Sequence, residues 1–201
     1  TEIYTLSLHD ALPICRRASA ASLAAVVTGA DISIAVRVAN PADLDAVSEL
    51  IAASYKALMP AGYPADVLAV ALPLITVAKP ALLASGTYFV ATVPDAPGLV
   101  GCGGWTPEQP GGGAVVPGLG HVRHFATHPR LIGRGVGSAI MEAATASAAR
   151  HGMAMLEVYA SLNAVPFYAA MGFSGCEIKA VMLGDRVPFE SRVMRRALSP
   201  G

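Results

Sequence analysis

The segment FATHPRLIGRGVGS, residues 125–138, constrains the fold more than any other part of the chain. A run with strand character passes through His128-Pro129 into glycines at positions 133, 135 and 137, and then into an Ala-rich stretch with helical spacing. Glycine can take the backbone angles that a sharp strand-to-helix turn needs, and Pro129 ends the strand. A helix must therefore follow a strand directly, with its first turn barely covered by side chains. Free N–H groups at such a helix start carry partial positive charge, and glycines let an anion approach them. Arg134 adds a full charge. The spacing fits neither G-x-G-x-x-G, since position 138 is serine, nor the Walker pattern, which needs a lysine after its last glycine.

What flanks this turn sets the fold class. Asn40 is a good helix cap and Pro41 suits a first helical position. Leu44, Val47, Ile51, Tyr55 and Leu58 then recur at steps of three and four, which predicts a helix with one buried stripe. Residues 62–85 are expected to hold one or two more helices, broken at Pro73 and Pro80. Runs 87–93 and 99–106 predict a hairpin joined by Pro94-Asp95-Ala96-Pro97-Gly98, and 107–120 reads as an exposed, mobile loop. A strand over 121–127 leads into the glycine turn and a helix over about 134–151, capped by Gly152. A strand over 155–159, a helix over 164–171 closed by Gly172, and a hairpin of 178–183 with 187–194 about Gly184-Asp185 complete the order. This order predicts an α/β (α+β) chain with a mixed, mostly antiparallel twisted sheet flanked by helices.

Composition narrows the partners. The 201 residues are 54% apolar and only 14% charged, with 14 Lys and Arg balancing 14 Asp and Glu. That excludes a disordered chain and leaves no basic excess for nucleic acid. The most apolar window, 64–84, contains Asp66, Pro73, Lys79 and Pro80, so no membrane span is expected. Cys15, Cys102 and Cys176 are odd in number and widely spaced, which suits a reduced, cytoplasmic chain with neither a disulfide framework nor a metal site. Residues 1–33 read as a non-core extension, disordered or artefactual. Within it residues 1–15 resemble translated sequencing-adaptor sequence, which fits better than a secretory signal built on Arg16 and Arg17. A single domain is expected over 34–201, and a homodimer stays open.

About thirty residues beyond the glycine turn, Ser161-Leu-Asn-Ala-Val-Pro-Phe-Tyr-Ala-Ala-Met-Gly-Phe173 pairs an asparagine at a strand end with two aromatics on the next helix. Together the two segments resemble the GNAT acyltransferase superfamily over roughly residues 34–198. The resemblance implies a GNAT fold and an N-acetyltransferase that moves an acetyl group from acetyl-CoA, its cosubstrate, to a primary amine of a small molecule or peptide. It implies that the turn from Ile132 through Gly133, Arg134, Gly135, Val136 and Gly137 to Ser138 holds the pyrophosphate. Ile132 replaces the usual polar residue, which should weaken that hold somewhat. Phe125, Ala126 and Thr127 match the bulged-strand positions whose main chain binds the pantetheine arm, Asn163 matches a further pantetheine contact, and Tyr168 matches the tyrosine that protonates the departing thiolate.

Direct attack also needs a base. His121 is the candidate, since an imidazole near pKa 6.5 suits an amine proton, and Glu157 is a second. Strict alternation would put His121, Arg123, Phe125 and Thr127 on one face of their strand, and His124, Ala126 and His128 on the other. Tyr55, Met59, Tyr63, Trp105 and Phe189 are guesses for the acceptor side. Arg192, Arg195 and Arg196 read as a solvated terminal strand. The alternative function is a non-catalytic acyl-CoA-binding sensor of the same fold.

Overall fold

The computed structural model describes residues 32–110, 113–183 and 187–199. Nearly all of the expected extension and the turn residues Gly184 and Asp185 lie outside them. Asn40 opens the helical part: its side chain accepts from the Ala42 N–H at 2.9 Å, and the Asp43 carboxylate accepts from the Asn40 N–H at 2.9 Å. Such reciprocal bonds satisfy donors that a helix start leaves free. A single 3-10 turn, Pro41–Asp43, leads into α1 (Leu44–Leu58). α2 (Ala65–Ile75) and α3 (Pro80–Leu83) follow. The prolines behave differently from expectation. Pro73 sits in the last turn of α2, where it forgoes its own bond to the Ala69 carbonyl, and the helix runs two residues past it, with the Thr76 N–H closing on the Leu72 carbonyl at 3.1 Å. Pro80 starts a helix, at the one place where its missing N–H costs nothing.

Among the described residues seven strands form one sheet: β1 (Ala35–Val38), β2 (Tyr88–Val93), β3 (Ala96–Thr106), β4 (Leu119–Thr127), β5 (Met155–Ser161), β6 (Ser174–Leu183) and β7 (Val187–Ala197), in the order β1-β2-β3-β4-β5-β7-β6. All neighbours are antiparallel except β4 and β5. The β2–β3 turn is tighter than the sequence suggests. Val93 pairs with Ala96, so only Pro94 and Asp95 make the turn and Pro97 and Gly98 lie within β3.

Helices cover both faces of the central strands. α4 (Val136–Arg150) brings Val136, Ile140, Met141 and Ala144 against Phe89, Ala91 and Val100 on one face. α1 and α3 bring Val47, Ile51 and Leu83 against Tyr88, Val90 and Cys102 on the other. Successive β2 residues thus alternate between two buried layers, which explains a strand that is apolar without a polar stripe. α5 (Val165–Ala170) follows β5 and ends at the left-handed Gly172.

Candidate active site: a seam between two strands

β4 and β5 pair only where Leu119, Gly120 and His121 lie beside Met155, Leu156 and Glu157; beyond that the parallel pair separates. A bulge in β4 marks the separation. Cys102 of β3 faces Ala126 and Gly104 faces Arg123, so His124 and Phe125 together oppose Gly103. His124 has a φ of +40°, an uncommon angle for a residue with a Cβ. Its carbonyl accepts a hydrogen bond from the fully buried Tyr88 hydroxyl at 2.8 Å. The Phe125 ring lies over Gly103, where a Cβ would approach to 2.5 Å of it.

The extra residue overturns the expected alternation. His121 and Arg123 share a face, but after His124 the order reverses: Phe125 packs with Val122 against the α4 layer, and Ala126 joins Tyr88 and Cys102 on the α1 side. A bulge shifts side-chain parity by one residue, and neither glycine nor proline marks this one in β4. The His128 N–H donates to the Val100 carbonyl at 2.8 Å. By the alternation of an antiparallel ladder, Ala126 directs its polar backbone toward β3 and Thr127 directs its own into the seam.

The glycine turn lies at the end of this strand. Gly133 and Gly135 have φ of +76° and +85°. Gly135 is the left-handed residue from which α4 starts. The first bond across that start runs from the Ala139 N–H to the Gly135 carbonyl at 2.9 Å. The Val136, Gly137 and Ser138 N–H groups have no backbone acceptor among the described residues, as expected for a helix start. A Cβ on Gly137 would stand 3.1 Å from the Phe167 ring, so the first turn of α4 packs directly on α5.

Asn163 and Tyr168 approach from the other side of the seam. The Asn163 Oδ1 is buried with no hydrogen-bond partner. A buried amide oxygen without a donor is costly, and its need would be met by a ligand N–H. Tyr168 is 5% exposed, packed edge-on against Phe167 and Phe173 at ring separations of 5.2 and 5.6 Å. Its hydroxyl bonds to no protein group among the described residues, and burial raises its pKa above the usual phenol value. These groups line a cavity of about 760 Å³ that runs along the seam.

Of the cofactor-binding and catalytic residues expected from sequence, all line this cavity except Arg134, His121 and the second candidate base, Glu157. Arg134 is exposed at the turn. His121 is 2% exposed, with its Nδ1 3.4 Å from the Glu157 Oε1. Burial lowers its pKa below 6.5, while the Glu157 charge pulls the other way. The Glu157 Oε2 accepts from the Arg195 Nε at 2.7 Å, so Arg195 is ion-paired within a strand expected to be merely solvated. β4 and β5 are still paired at this level, which closes the seam over both candidate bases.

The acceptor-side guesses divide. Tyr55, Met59 and Phe189 line the cavity. Tyr63 is structural: its ring stacks on Phe189 at 4.2 Å, and its hydroxyl donates to the Glu190 carbonyl and accepts from the Leu162 N–H. Trp105 lies in the α4 layer, where its Nε1 donates to the Ser147 hydroxyl at 3.2 Å. Sequence reading missed Tyr88, which nothing in its own segment singles out, and it did not assign Arg123 or Tyr159 a role in the cavity. His124 also lines it, with its pKa lowered to about 4 by burial. No cluster of three or more metal-binding side chains occurs among the described residues, and no helix among them is long and apolar enough to cross a membrane.

This mixed α/β fold, a mostly antiparallel seven-stranded sheet flanked by helices, matches GNAT acetyltransferases of known structure. Residues 84–175, which contain the bulged strand, the glycine turn, Asn163 and Tyr168, match the family model of the acetyltransferase (GNAT) domain. A GCN5-related N-acetyltransferase from Rhodopseudomonas palustris superposes with a TM-score of 0.65 at 24% identity, over 83% of this chain and 96% of that one. The PaiA N-acetyltransferase from Thermoplasma acidophilum, solved in complex with coenzyme A, gives 0.61 at 15% identity, over 82% and 99%. The ribosomal-protein-S18-alanine N-acetyltransferase from Escherichia coli gives 0.54 at 15% identity, over 84% and 96%. No curated protein sequence matches the chain.

Proposed function

We propose that this protein transfers an acetyl group from acetyl-CoA to a primary amine of a small molecule or peptide by direct attack. The observation that carries the reading is the parting of β4 from β5 beyond His121, which leaves a strand edge open toward a helix start with unpaired N–H groups. The residues suit coenzyme A: a row of free backbone donors meets a pyrophosphate, and the unpartnered Asn163 Oδ1 meets an amide N–H of pantetheine. Acetyl-CoA supplies the activated thioester. The N–H groups of Val136, Gly137 and Ser138, with Arg134 beside them, hold the phosphates. The bulged segment Phe125 to Thr127 lies along the pantetheine arm, as an edge strand receives an added one.

The Thr127 N–H faces the seam and is the donor best placed to stabilise charge developing on a carbonyl oxygen. Ala126 contributes less, because its own N–H is directed to β3. Tyr168 is too weak an acid to give up its proton early; it remains protonated and offers the departing sulfur a hydrogen bond. His121 is walled off from the cavity, so it makes no contact with the acceptor in this reading. The amine attacks in its neutral form, and its proton passes to water at the open mouth of the seam.

A thermal-shift series with acetyl-CoA, free CoA and NAD tests the binding half, since a ligand of the folded state raises the melting midpoint. Both CoA species are expected to raise it and NAD is not. Thiol release across an amine panel then separates an enzyme from a non-catalytic sensor. A shift with acetyl-CoA but no thiol release with any amine would leave only the sensor.

A further inference from the structure

The acceptor end of the cavity carries a charge asymmetry that the acyl-transfer reading does not use. Among the described residues that line the cavity none is Asp or Glu, and Arg123 is the one that carries a formal charge. Its Nε donates to the Thr106 hydroxyl at 2.8 Å and its Nη2 to the Glu108 carbonyl at 2.8 Å, both uncharged acceptors. None of the ion pairs among the described residues involves it. The Glu108 carboxylate acts on it only through space, so the half-buried guanidinium has no bonded anion among the described residues, and a ligand that supplied one would offset the cost of burying it. Burial indeed holds its pKa below the ordinary value.

Tyr159 reinforces this. Its oxygen accepts from Lys179 Nζ at 2.8 Å and from Gln109 Nε2 at 2.5 Å, and the Lys179 ammonium lies 4.5 Å from its ring centre. With both lone pairs taken, the phenol has only its O–H left to offer the cavity it lines. Lys179, like Arg123, has no ion-pair partner among the described residues. Ser191, 3% exposed, adds a hydroxyl to the same lining.

We propose that the acceptor carries an anionic group, a carboxylate or a phosphate, close to its amine, and that Arg123 and the Tyr159 hydroxyl receive that group. This rests on the acyl-transfer reading and names its substrate class. Arg123 precedes Thr127 by four residues, at most about 13 Å of strand, so an anion held there leaves the amine near the seam. The two cations also disfavour the ammonium form of the incoming amine, which raises the fraction in the reactive neutral form without a base in contact.

The test uses matched acceptors: β-alanine against β-alaninamide for the carboxylate, and phosphoethanolamine against ethanolamine for the phosphate. Thiol release from acetyl-CoA is measured for each, and kcat/KM is corrected for the neutral-amine fraction. At least one anionic member is expected to be preferred by about tenfold or more, as a charge-assisted bond provides, with the preferred pair telling carboxylate from phosphate. Arg123→Gln should bring that preference within about threefold while the acetyl-CoA thermal shift stays intact, and Arg123→Lys should retain part of it. Rising ionic strength should erode the wild-type preference, which keeps the test alive if Arg123→Gln folds poorly. Equal turnover of charged and neutral members, with the acetyl-CoA shift intact, overturns the anion site alone. Absence of both the shift and thiol release overturns the acyl-transfer reading beneath it.

Discussion

Replacing Tyr88 by phenylalanine removes one oxygen from the centre of the protein and tests how the seam is held open. The hydroxyl donates to the His124 carbonyl at 2.8 Å, and the Cys102 Sγ, a weak donor, lies 3.8 Å from the same oxygen. Without the hydroxyl that carbonyl loses its strong side-chain donor, and losing such a bond in the interior costs about 1–3 kcal/mol. His124 also sits at a φ of +40°, a conformation that stores roughly 1–3 kcal/mol and persists only while its surroundings enforce it. The phenyl ring keeps its packing, so no cavity is added. A domain of this size loses about 2–4 °C of Tm per kcal/mol, giving an expected fall of about 2–12 °C by scanning fluorimetry. The KM for acetyl-CoA should rise severalfold in the same variant, since a relaxed bulge lets β4 move back toward β5. A variant that melts within about 1 °C of wild type, with KM unchanged, would show that the bulge does not depend on this bond.

Other substitutions probe the site and the framework. Tyr168→Phe should lower kcat by about tenfold and leave the acetyl-CoA thermal shift in place, because a phenol held protonated contributes a hydrogen bond rather than full proton transfer; unchanged thiol release at saturating acetyl-CoA would remove it from the mechanism. His121→Gln should cost less than about threefold in kcat/KM, and a loss of a hundredfold or more would restore it as the general base. The same variant should flatten one pH effect. Wild-type stability falls as pH drops below about 6.5, because the unfolded chain takes up a proton that the buried imidazole resists. Asp43 acts in the same direction at lower pH: its bond to Arg37 holds its carboxyl below the usual range, so it stabilises the fold at neutral pH and stops doing so as acid protonates it. Asp43→Asn should lower the neutral Tm and weaken the acid dependence below about pH 4 in melts across pH.

The glycine turn was legible because it depends on local rules: three glycines, a proline and an Ala-rich run specify a strand that turns sharply into a helix, whatever else surrounds them. The same holds for the Asn40 cap, whereas Asn163 and Tyr168 were singled out by the resemblance of their segment to the GNAT superfamily. Proline was read less well. Pro73 looked like a breaker, yet α2 runs two residues past it to Ile75, because a proline removes only its own donor and the residues after it still bond back to the preceding turn.

The bulge was decided by tertiary structure. His124 carries no mark of a left-handed residue, and it is held there by Tyr88 and by the space over Gly103, groups more than twenty residues away in the chain. That one extra residue exchanges the faces of Phe125, Ala126 and Thr127, and strict alternation had placed all three on the wrong sides. His121 followed the same logic in reverse: its residue type suits a base, but the last paired rung between β4 and β5 buries it beside Glu157 and Arg195. Sequence by itself determined the order of elements, the glycine turn into a helix and the residue types along the seam, because these follow from local propensity and spacing. Which of those residues reach the cavity, and that Arg123 stands there with no ion-pair partner among the described residues, depends on contacts between distant strands and only the folded chain decides it.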